Sequence, residues 1–121
     1  MTRRRVGSGA PWESTVGYSR AVRVGNTIAV AGTTGPGDDA YEQSKAALAI
    51  IARALAEVGA SMADVVRTRM FVVDMRHAEA VGKAHGEVFG EIRPAATLVE
   101  VGALISPELL VEIEADAIVD A

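Results

Sequence analysis

LVEIEADAIV, residues 110–119, sets the fold, because its side chains alternate almost without exception between apolar and acidic. Extended backbone sends successive side chains to opposite faces. One face then receives Val111, Ile113, Ala115 and Ala117, a bed on which helices can pack, and the other receives Glu112, Glu114 and Asp116. Ser106-Pro107-Glu108 marks a turn just upstream. Before it, Pro94 has no N–H to give to a ladder and belongs at the start of another strand, Ala95 to Val101.

Working outward, Val65 to Val73 is β-branched and alternating enough for a third strand. Val22 and Val24 precede Gly25-Asn26, and Ile28 and Val30 follow it, which predicts a hairpin within Tyr18 to Ala31. Gly32 to Ala40 (GTTGPGDDA) reads as a loop whose Asp38 or Asp39 can cap a helix over Tyr41 to Val58. Ala47, Ile51, Leu55 and Val58 give that helix one apolar stripe, and Gly59 stops it. A second helix, His77 to Phe89, is expected to bury Ala80, Val81, Ala84 and Val88 and to end at Gly90. The order is β-β-α-β-α-β-β, with a short N-terminal strand at Arg3 to Val6. A single α+β domain over residues 1–121 follows, one mixed sheet with both helices on one face.

Parity places charge on the other face. Arg67, Arg69, Glu112 and Glu114 gather there with Phe71 and Val73, and an extension of the same parity adds Ala96, Leu98 and Glu100 from the strand after Pro94. Surface ion pairs alone would be worth only about 0–1 kcal/mol each. Phe71, Val73 and Leu98, however, need cover, so this face is expected to pack against other subunits and leave some charges lining a pocket between them.

Bulk properties narrow the function. Half of the 121 residues are hydrophobic, and a domain of this length hides only roughly two-thirds of its unfolded surface, which again argues for an oligomer. The chain has no cysteine, so disulfides, thiol catalysis and thiolate metal sites are excluded, in keeping with a cytoplasmic protein. Arg3, Arg4 and Arg5 lack a following apolar run and read as a frayed, solvated terminus rather than a signal peptide. No segment is apolar for long enough to cross a membrane. With net charge −4 and scattered basic residues, no nucleic-acid partner is expected. His77 and His85 have no companion at ligand spacing, so no metal is expected.

The segments GYSRAVRVGNTIAVAGTTG (Gly17 to Gly35), ADVVRTRMFVVDM (Ala63 to Met75), RPAATLVEV (Arg93 to Val101) and LLVEIEADAIV (Leu109 to Val119) resemble the Rid, or reactive-intermediate deaminase, family. The family is also called YjgF and endoribonuclease L-PSP, and the resemblance runs in order through nearly the whole chain. It implies a chorismate-mutase-like fold in a homotrimer, with a central barrel and three clefts between subunits. It also implies hydrolysis of imines or enamines to a ketoacid and ammonia, without cofactor or metal.

Carried over position by position, the resemblance makes Tyr18 a cleft residue, Glu112 the group that positions or activates water, and Gly32 a backbone contact to the ligand. Ala31 stands where many members have serine, Thr33 where many have glutamine, and Gly82 where the second helix carries asparagine. Ala96 occupies the arginine of the family's Pro-Ala-Arg motif. The loop from Gly32 to Tyr41 is also shorter than in typical deaminases. An arginine fork holds a carboxylate by charge-assisted hydrogen bonds, each worth roughly 1.5–3 kcal/mol, so its loss weakens a 2-imino acid about ten- to a hundredfold. The cleft is then expected to keep its acid and lose its cation, which favours a neutral or cationic ligand, unless Arg69 on the charged face substitutes. Three functions compete: imine or enamine hydrolysis with Glu112 directing water, metabolite binding or sensing without chemistry, and, least supported, RNA cleavage.

Overall fold

The computed structural model describes residues 2–120. Its six strands are β1 (Arg3–Val6), β2 (Ala21–Val24), β3 (Thr27–Thr33), β4 (Val65–Val72), β5 (Ala95–Glu100) and β6 (Val111–Ile118). Helix α1 (Ala40–Glu57) joins β3 to β4, and α2 (Ala78–Phe89) joins β4 to β5. One mixed sheet results, in the order β1-β2-β3-β6-β4-β5. The alternating segment read first, β6, lies inside it, antiparallel to β3 on one side and β4 on the other. Only β4 and β5 are parallel, and α2 supplies the crossover a parallel pair needs.

The apolar face of β6 is the floor of the core. Val111, Ile113, Ala115 and Ala117 are buried beneath Ala47, Leu48, Ile51, Ala54 and Leu55 of α1. Fully burying an Ile or Leu side chain contributes roughly 1.5–3 kcal/mol, so this stripe explains why α1 stays on the sheet. Helix α2 contributes Val81, Ala84 and Phe89. Val88, expected inside, is exposed. The larger Phe89 takes the interior position, with its ring 4.6 Å from that of His85. His85 in turn meets Thr68 Oγ1 at 2.8 Å, tying α2 to β4, and burial pushes the imidazole pKa down.

Helix ends largely follow the sequence. Asp39 caps α1 by accepting from Glu42 N at 2.8 Å, and Gly59 follows the helix at φ 79°. The opening arginines do not fray. They form β1, and Arg4 donates to the carbonyls of Glu57 and Val58, while Arg23 donates to Val58 O at 2.7 Å. Those carbonyls end α1, where unpaired oxygens and the helix dipole both favour cations. At the end of α2 the left-handed residue is Arg93 (φ 54°) rather than Gly90, which remains helical.

Two other expectations need correction. Gly32 and Thr33 belong to β3 rather than to a loop, because β3 slips against β6 after Val30 and resumes pairing at Thr33. β5 presents the face opposite to the one that its parity predicts. Ala96, Leu98 and Glu100 pair with Thr68, Met70 and Val72, on the helix side, while Thr97 and Val99 accompany Arg69 and Phe71 on the charged side. Alternation within a strand gives relative parity only. The absolute face of β5 is fixed by the α2 crossover, which residue spacing does not record.

Candidate functional site

The slip in β3 creates the site. It carries the backbone of Gly32 beneath the Glu112 side chain of neighbouring β6, so close that a Cβ built there would collide with Glu112 Oε2 and lie 2.9 Å from its Cδ. Glycine is required for proximity, not for backbone freedom, since its φ is not positive. No group among the described residues hydrogen-bonds the Glu112 carboxyl. It is half-buried, and desolvation pushes its pKa above the ordinary 4.5. Glu114, two residues on along the same face, raises it further, and Arg20 opposes the rise.

Arg20 is the buried cation of this site. It is 7% exposed and stands just before β2. Its Nη1 donates to Gly32 O at 2.8 Å and to Thr33 Oγ1 at 2.9 Å. Nη2 reaches the Tyr18 hydroxyl at 3.4 Å, and Nε reaches Ser8 Oγ at 3.4 Å. Its guanidinium carbon lies 5.5 Å from the centre of the Tyr18 ring. Glu13 Oε2 is 4.0 Å from Nη2.

Glu13 begins a single wide helical turn, Glu13–Gly17, closed by Tyr18 N donating to Glu13 O at 3.0 Å. Its carboxylate accepts from Ser8 Oγ at 2.6 Å and from Ser8 N at 3.0 Å, and these bonds pull its pKa down. The segment from Ser8 to Val16 is thereby folded against the end of β3. Between it and the chain leading into β6 lies a pocket of about 690 Å³. Tyr18, Arg20, Gly32, Thr33, Glu112 and the exposed Arg53 are among its polar lining, and Trp12, Val16, Ile50, Ile105 and Leu109 are among its apolar walls. The β6 side of the rim is held by Gln43 of α1, which accepts from Leu110 N at 2.8 Å and donates to Glu108 O at 3.0 Å.

Of the residues singled out in the sequence, Tyr18, Gly32, Thr33 and Glu112 come together here. Thr33 is buried, and its hydroxyl donates to Ala31 O at 2.8 Å while accepting from Arg20, so it braces the cation. Ala31 contributes only backbone, its N–H bonded to Arg20 O. Arg69 does not reach the pocket; its Nη1 lies 3.2 Å from both Glu114 and Asp116. Ala96 and Gly82 also lie outside it, and a Cβ on Gly82 would meet nothing within 4 Å.

Sequence reasoning missed Arg20, Glu13, Ser8 and Trp12. Arg20 and Arg53 supply cations beside Glu112 that the reading of Ala96 did not include. The only signal was an arginine two residues after Tyr18 at a strand start, which resembles any solvated strand-end charge until its neighbours are known. Among the described residues no three His, Asp or Glu side chains converge as a metal-binding group, and neither histidine lines the pocket. No helix among them is long and apolar enough to cross a membrane.

Known proteins share this fold. A crystal structure of a YjgF-family member from Mycobacterium tuberculosis superimposes with a TM-score of 0.96 at 56% identity, covering 98% of this chain and all of that one. An uncharacterized protein of Streptomyces coelicolor is 43% identical over 94% of this chain and 90% of its own length. The 3-aminoacrylate deaminase RutC of Acinetobacter baylyi is 36% identical over 62% of this chain and 59% of that protein. A family profile described as endoribonuclease L-PSP matches residues 9–119, and with these relatives it shows that the chain belongs to that family, known also as YjgF, RutC or Rid.

Proposed function

We propose that this protein takes a small molecule into the pocket beside Glu112 and hydrolyses an imine, an enamine or a related C–N bond, with Glu112 directing water. One observation carries the reading: a half-buried carboxyl of raised pKa, free of internal hydrogen bonds, faces a pocket large enough for a metabolite. Ionised Glu112 accepts a proton from water as the oxygen adds to the imine carbon. The nitrogen takes up protons, the C–N bond breaks, and ammonia leaves a carbonyl product. The deaminase activity carried in the name of the RutC relative lends this chemistry support.

The working unit is proposed to be a homotrimer of this single domain. Phe71 and Val99 on the sheet face that bears no helices support it, as does the separation of Ala96 and Gly82 from the pocket of their own chain. Clefts between subunits would bring the two sets of positions together. No cofactor, metal or nucleic-acid partner is invoked.

An amino-acid oxidase coupled to a trapping amine tests the proposal. Wild type should remove imine before it is trapped, and Glu112→Gln should fall about 10²- to 10⁴-fold, the usual contribution of a positioned acid or base. Equal rates for the two proteins across several side chains would overturn it. The alanine and glycine at positions 96 and 82, in place of the family's arginine and asparagine, favour a second reading, a binding or sensing protein without turnover. It would show saturable thermal stabilisation by a metabolite and no imine consumption. RNA cleavage is disfavoured, since neither histidine lines the pocket; cleavage abolished by Glu112→Ala would reverse that ranking.

A further inference from the structure

We propose that Arg20 is the anion-binding, specificity-determining residue of the pocket, taking the carboxylate of an amphiphilic ligand whose apolar group lies between Trp12, Val16 and Ile105. The inference rests on the reading that this pocket is the ligand site, and adds what it selects.

The donors of Arg20 are unequally used. Both N–H groups of Nη1 have short partners, Gly32 O at 2.8 Å and Thr33 Oγ1 at 2.9 Å. These bonds fix the guanidinium plane. The opposite edge, formed by Nε and Nη2, is the fork that grips a carboxylate by two parallel bonds. Its contacts are long, 3.4 Å to Ser8 Oγ and 3.4 Å to the Tyr18 hydroxyl. Its nearest carboxylate, Glu13, stays 4.0 Å away because Ser8 holds it at 2.6 Å. Only 9% of the Arg20 side chain is exposed, and the guanidinium lines the pocket with a single long ion pair, to Glu13, balancing its charge. An incoming carboxylate supplies a closer one, and the Tyr18 hydroxyl stands beside it as a further donor.

The remaining lining explains the rest of the ligand. Trp12 is 51% exposed, Val16 68% and Ile105 64%, more apolar surface than a rim needs for its own packing. Together with Ile50 and Leu109 they surround space suited to an aliphatic or aromatic group.

Isothermal titration with 4-methyl-2-oxopentanoate and its methyl ester separates charge from shape. Wild type should bind the acid about ten- to a hundredfold more tightly than the ester, the worth of one charged hydrogen bond. Arg20→Gln should bring that ratio close to one. Should Arg20→Gln fail to fold, Arg20→Lys should lose most of the ratio, because a lysine cannot form the fork. A wild-type ratio near one, no binding of either probe, or equal loss of acid and ester in the variants would overturn the proposal. Failure of the catalytic reading looks different: acid-selective binding persists while imine turnover is absent.

Discussion

Replacing Gly32 with alanine should be less favourable to stability when Glu112 is present than when it is absent. A Cβ at residue 32 collides with Glu112 Oε2 and lies 2.9 Å from Cδ and 3.3 Å from Cγ, and every other atom is farther away. Backbone is not the obstacle, because Gly32 lies outside the left-handed region. With Glu112 present, the carboxyl must leave its position for an off-rotamer one, costing about 0.5–1.5 kcal/mol. In a Glu112→Ala background that cost vanishes. What remains is the lower entropy of an unfolded chain with alanine in place of glycine, which stabilises by roughly 0.4–1 kcal/mol. Urea denaturation of the four proteins in this double-mutant cycle should therefore yield a coupling energy of about 0.5–1.5 kcal/mol, the off-rotamer cost alone, because the unfolded-chain contribution is common to both backgrounds. The same cycle has a functional arm, since a catalytic group misplaced by about 1 Å can lose roughly a hundredfold in rate. An equal cost of the Gly32 substitution in both backgrounds would refute the idea that this glycine exists to seat Glu112.

Three further outcomes are expected. Gln43→Leu strips partners from the half-buried Leu110 N–H and from the carbonyl of the exposed Glu108, and should cost about 1–3 kcal/mol in all, since water can reach the Glu108 carbonyl, seen as a lower urea midpoint. Arg69→Ala should leave affinity for 4-methyl-2-oxopentanoate within about twofold and lower stability by no more than about 1 kcal/mol, since its partners Glu114 and Asp116 are more than 30% exposed. For Glu112 the folded pKa lies above the unfolded one, so folding favours its protonated form. Its contribution to stability is intact below pH 4.5 and is lost as pH rises through the raised folded value, a fall that Glu112→Gln should abolish. The ionised carboxylate is the proton acceptor, so kcat/KM should rise with pH over the same window.

The fold was legible because β6 alternates so strictly and because α1 has a single apolar stripe between Asp39 and Gly59. Those features name their own faces. β5 does not: its AATLVE contains apolar residues of both parities, and only the α2 crossover decides that Ala96 faces the helices. The acidic half of the site, Glu112 over Gly32, could be read from β6 parity with the family resemblance. Its basic half could not. Arg20 becomes a buried cation through contacts with Ser8, Thr33 and Gly32, which lie up to 13 residues away in the chain and meet it only once β3 slips and the N-terminal segment folds over. Arg69, the cation that parity places on the charged sheet face, is taken up by Glu114 and Asp116 instead.

A crystal structure with 4-methyl-2-oxopentanoate tests the central claim most directly. The ligand carboxylate should lie within hydrogen-bonding distance of Arg20 Nη2 and the Tyr18 hydroxyl, the keto carbon should face Glu112, and the branched tail should rest against Trp12 or Ile105. Density that avoids this pocket, or that places the carboxylate against Arg69, would contradict it.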